Sequence, residues 1–115
     1  MARVGPVRAT ANVEAALALA LTGFSNGGFE TPVVVPGTFQ DFAAGASLGE
    51  WRVSQGNVDL IGAGFWQAAD GVQSVDFDGS AFPLTGGVIQ TFSTVPLLKY
   101  RVTYTLAGNP SRVRP

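Results

Sequence analysis

The sequence predicts an all-β fold, an antiparallel sandwich or jelly roll, on three observations. Short runs alternate apolar and polar residues. The clearest is Lys99 to Leu106, which puts Tyr100, Val102, Tyr104 and Leu106 on an inward face and Lys99, Arg101, Thr103 and Thr105 on the outward one. Glycine and proline, 15 and 7 of 115 residues, punctuate those runs, with β-branched residues between them. With 46% hydrophobic and 13% charged residues the chain is built to fold, and its length fits one domain with a modest core.

The elements follow in order. Residues 1–24 differ from the rest: Arg3 and Arg8 precede the apolar run Ala15 to Leu21. This reads as a secretory signal, as an N-terminal helix, or as a start codon placed too far upstream. The run is shorter than the ~20 residues that span a bilayer. The domain proper is expected over residues 25–110, with 111–115 as a tail. Ser25 to Gly28 is a turn, and Phe29 to Thr31 reads as the start of a first strand. Pro32 and Pro36 bracket Val33 to Val35, which makes that stretch an edge strand or a loop crossing. Phe39 and Phe42 are expected to plug the core beneath a long loop, 43–49. Strands are then predicted at Trp51 to Ser54, with Trp51 in the core, at Asn57 to Ile61, Gln73 to Phe77 and Val88 to Phe92, and at Lys99 to Leu106.

Composition removes several chemistries. The chain has no Cys and no His, which excludes disulfides, Cys- or His-ligated zinc, thiol nucleophiles and a Ser-His-Asp triad within it. Between Ala9 and Ser111 three basic residues, Arg52, Lys99 and Arg101, stand against all eight acids. A phosphate-binding surface needs clustered Lys and Arg, so nucleic acid is not the expected partner.

The stretch Gly56 to Gly79 carries the chemistry. A β-rich run, Asn57 to Ile61, is broken by Gly62 and Gly64, and Phe65-Trp66-Gln67 leads to the turn Asp70-Gly71. An indole stacks on the C–H face of a pyranose, while an amide and a carboxylate bind its hydroxyls. Trp66, Gln67 and Asp70 are therefore the carbohydrate-binding candidates. The plainer alternative puts Trp66 in the core and leaves Asp70 as the first residue of its turn. Asp76 and Asp78, two apart on one strand face, have the spacing of a glycosidase pair, but no cleft is legible around them, and no catalytic residue is assigned.

Taken in order, Asn26-Gly27-Gly28-Phe29-Glu30, Trp51, GNVDLI (56–61), WQAADG (66–71), SVDFDG (74–79), VIQTF (88–92), YRVTY (100–104) and LAGNP (106–110) resemble the DUF642 and bacterial choice-of-anchor C family over residues 26–110. The resemblance implies a galactose-binding-domain-like jelly roll, secreted or held at the cell surface, that binds cell-wall or surface polysaccharide without hydrolysing it. It also implies that the chain corresponds to the N-terminal portion of the family domain, which continues beyond LAGNP with further strands. In related jelly rolls a glutamate at the position of Glu30 helps to hold a structural Ca²⁺, and Glu30 is the metal candidate on that ground. The alternative reading is a structural or adhesive surface module that engages a protein partner, or a second copy of itself, through exposed strand edges.

Overall fold

Period-two alternation becomes eight strands among the described residues, which in this computed structural model are 2–11, 23–79 and 85–108. They are β1 (Ala2–Ala11), β2 (Phe39–Ala43), β3 (Ser47–Leu48), β4 (Trp51–Gln55), β5 (Asn57–Ile61), β6 (Ser74–Asp76), β7 (Gly87–Ile89) and β8 (Tyr100–Gly108). A five-stranded sheet runs in the order β2-β5-β6-β1-β8, and a three-stranded sheet in the order β3-β4-β7. Every pairing is antiparallel, and the chain is an all-β sandwich.

The N-terminal expectation changes for residues 2–11. They form the fourth strand of the large sheet, between β6 and β8, and not a helix. Gly5 and Pro6 are the weakest helix formers in the run. Pro6 lies where the β1–β8 register shifts between Val4 and Val7, the kind of irregularity that tolerates a residue without an N–H. The apolar run Ala15 to Leu21 and the tail 111–115 lie outside the described residues.

The core lies between the sheets. One transverse row of the large sheet reads Leu60, Val75, Val4, Leu106 across β5, β6, β1 and β8. Leu60 and Val75 are fully buried, together with Val58 from β5 and Leu48 and Val53 from the small sheet. Trp51 is 5% exposed, as expected of a core residue. Its ring sits 5.3 Å from Phe29 and 5.1 Å from Phe24, and its indole N–H donates to the Asn26 carbonyl at 2.9 Å.

At β8 the predicted face is right and the predicted burial is not. Leu106 continues the core row, yet Val102, Tyr104 and Leu106 are 52%, 62% and 56% exposed. Among the described residues three strands face five, and no strand lies opposite this end of the large sheet.

The turn expected at Ser25 to Gly28 is present, and Phe29 to Thr31, expected to start a strand, is not one. Asn26 and Phe29 both take positive φ, 54° and 58°. The Asn26 side chain exchanges hydrogen bonds with the Thr31 backbone and donates to the Leu48 carbonyl, so it closes the turn and ties it to β3. That left-handed backbone at Phe29 drives its ring into the core. Phe39 and Phe42, both expected to plug the core beneath the 43–49 loop, lie on β2 and alternate: Phe42 packs against the core, and Phe39 is 50% exposed on the opposite face. Val33 and Val35, 81% and 69% exposed, belong to a loop crossing.

Candidate functional site

The 62–73 loop folds back over the outer face of the large sheet and is anchored at three places. At its start Gly62 donates to the Thr38 carbonyl at 2.8 Å, and the Ala63 carbonyl accepts from Gly37 at 2.7 Å. A Cβ on Gly62 would stand 2.7 Å from the Val35 carbonyl oxygen, so only glycine permits this approach. In the middle, Ala69 packs against the backbone at Gly5 of β1. At its end Glu30 Oε2 accepts the backbone N–H groups of Val72 at 3.0 Å and Gln73 at 3.1 Å. Gln73, 2% exposed, accepts from Val34 N–H and donates to the carbonyls of Phe29 and Pro32.

The anchored loop presents rings. Phe65 lies 5.3 Å from Trp66, with the planes inclined by 49°, and 5.5 Å from Phe39 of β2, inclined by 61°. Phe65 is 36% exposed and Trp66 half-buried. Beside them a shallow depression of about 530 Å³ is lined by Gly64 to Ala68 with Gly71 and Val72. Its volume falls in the range of small-molecule sites, roughly 300–1,000 Å³. Of the three carbohydrate candidates the structure brings Trp66 and Gln67 into this depression. Asp70 is exposed but is not among the lining residues. Phe65 and Phe39 complete the row. Phe65 was legible as Trp66's neighbour, whereas Phe39 joins only through the pairing of β2 with β5.

Glu30 turns its carboxylate to the 71–73 backbone. A cation there would compete with two N–H donors. Among the described residues no group of three or more carboxylate, His or Cys side chains is gathered as a metal shell. Calcium at Glu30 stays an expectation of the resemblance, and it enters no step below.

The acids form a separate cluster on the same outer face. Asp41, Asp59 and Asp76 are direct cross-strand partners on β2, β5 and β6, and Arg3 of β1 stands next in the row, opposite Asp76. Burial, a hydrogen bond with Asp41, and the charges of Asp41, Asp76 and Asp78 push the Asp59 carboxyl up to about 7. Among the described residues its Oδ1 is buried without a partner, while the Asn57 amide donates to Asp41 Oδ1 at 3.2 Å. Asp76 is 4% exposed, and its Oδ1 accepts the Asp78 N–H at 3.0 Å, so this pair builds a turn.

No curated protein and no solved structure matches the chain. A family model described as a protein of unknown function, DUF642, matches residues 22–114, and the chain belongs to that family.

Proposed function

We propose that this chain is a non-catalytic, extracellular carbohydrate-binding module whose ligand is a cell-wall or surface polysaccharide. The observation that carries the reading is the anchored loop with its ring row and the depression lined by Trp66 and Gln67. Flat apolar surface next to an amide suits a ligand with C–H faces and hydroxyls. Anchoring at both ends means that little loop entropy is lost on binding. Trp66→Ala should weaken retardation in polysaccharide-containing native gels about tenfold, a loss of ~1.4 kcal/mol, with the urea midpoint little changed. If no wall polymer retards the wild type, or Trp66→Ala binds as well, the reading fails.

The uncovered end of the large sheet favours a second reading, a structural or adhesive module that pairs with a second copy. β8 is an edge strand carrying Val102, Tyr104 and Leu106 exposed on one face. Long apolar edges recruit strands. An antiparallel pairing centred on Tyr104 sets Val102 against Leu106 and Arg101 against Ala107, with no like charges opposed. On this reading the protein elutes as a dimer at high concentration in size-exclusion chromatography, and Tyr104→Lys as a monomer. A wild type that stays monomeric throughout removes it.

A further inference from the structure

We propose that the ligand is a neutral glycan taken as a single soluble chain, not as the face of a crystalline polymer, and that Phe39 is a third ring in contact with it. The inference rests on the carbohydrate reading above.

Ring geometry sets the form of the polymer. Phe39, Phe65 and Trp66 follow one another at 5.5 and 5.3 Å, distances comparable with the length of one sugar unit. Successive planes are inclined by 61° and 49°. Two rings inclined at such angles cannot both lie flat on one plane, and a crystalline face presents its pyranose rings in a plane. A free chain turns from unit to unit and can meet each ring in succession. Phe39 keeps 50% of its surface in water and Phe65 36%, so both have area to give.

Charge sets the class of sugar. None of the residues lining the depression is charged. The nearest acid in sequence is Asp70, next to lining residue Gly71 and exposed. Uronate carboxylates would lose hydration there and find no cation among the lining side chains. Hydroxyls need only the Gln67 amide and backbone groups.

The test compares wild type, Phe39→Ala and Val33→Ala, an exposed residue off the ring row. Native gels containing galactomannan, mixed-linkage β-glucan or polygalacturonate are run beside sedimentation with microcrystalline cellulose. The expected result is retardation by one or both neutral polymers, weakened about fivefold or more by Phe39→Ala and unchanged by Val33→Ala, with no sedimentation on cellulose. Circular dichroism of Phe39→Ala should match the wild type. Co-sedimentation with cellulose as strong as binding to the soluble polymers overturns the single-chain inference and leaves the carbohydrate reading standing, as does preference for polygalacturonate over the neutral chains. Equal binding by Phe39→Ala removes Phe39 from the site. Binding to none of the four polymers overturns the inference together with the reading beneath it.

Discussion

Replacing Gln73 with leucine should lower the free energy of unfolding by about 3–5 kcal/mol, a large part of the ~5–15 kcal/mol that holds a domain of this size. The volumes are similar, so no cavity opens. The loss comes from what the amide serves: Val34 N–H at 2.8 Å, the Phe29 carbonyl at 2.8 Å and the Pro32 carbonyl at 2.9 Å. All three belong to the loop beside the cis Thr31–Pro32 bond, which has no ladder of its own to fall back on. Each buried group left unpaired costs ~1–3 kcal/mol. Urea titration measures the total, and hydrogen exchange should show the Val34 amide among the most accelerated. A fall below ~1 kcal/mol would mean that water enters and replaces the side chain. The same substitution loosens the C-terminal anchor of the 62–73 loop, so polysaccharide retardation should weaken along with stability.

That amide shows where sequence reading stops. Gln73 opened a run predicted as a strand, whereas β6 begins at Ser74 and Gln73 ends the loop before it; its partners lie 39–44 positions away and became visible only with the turn that carries them. Trp51 and the central strands were readable because each alternates at period two and is covered on one face. Tyr104 was assigned to the correct face, but its exposure depends on how far the opposite sheet reaches, which no local pattern encodes. Glu30 was singled out as a metal ligand through a resemblance, and its bonds to Val72 and Gln73 follow from the loop's return. The ring row divides the same way. Phe65 and Trp66 are neighbours in sequence, whereas Phe39 reaches them because it pairs with Ile61 at the mouth of their loop. For Ala2–Ala11 the strand rests on pairing with β6 and β8, far along the chain, which the run's own composition does not encode.

Asp59→Asn should stabilise the protein by about 2 kcal/mol above pH ~7 and have almost no effect below pH ~4. The Asp59 carboxyl rises from 3.8 to about 7 on folding, first through burial, then through its bond and repulsion with Asp41 and the charges of Asp76 and Asp78. Its folded value is above its unfolded one, so the native state binds more protons than the unfolded state between those limits. The contribution is fully present below the unfolded value, declines as pH rises, and is gone above the folded value. Moving a carboxyl that far is worth ~4 kcal/mol in full; Asp59 is only partly buried and solvent screens its neighbours, so about half is expected. The difference between their urea midpoints across pH reads the removal of the Asp59 carboxyl from the row. Parallel profiles would show that Asp59 ionises as freely in the fold as out of it.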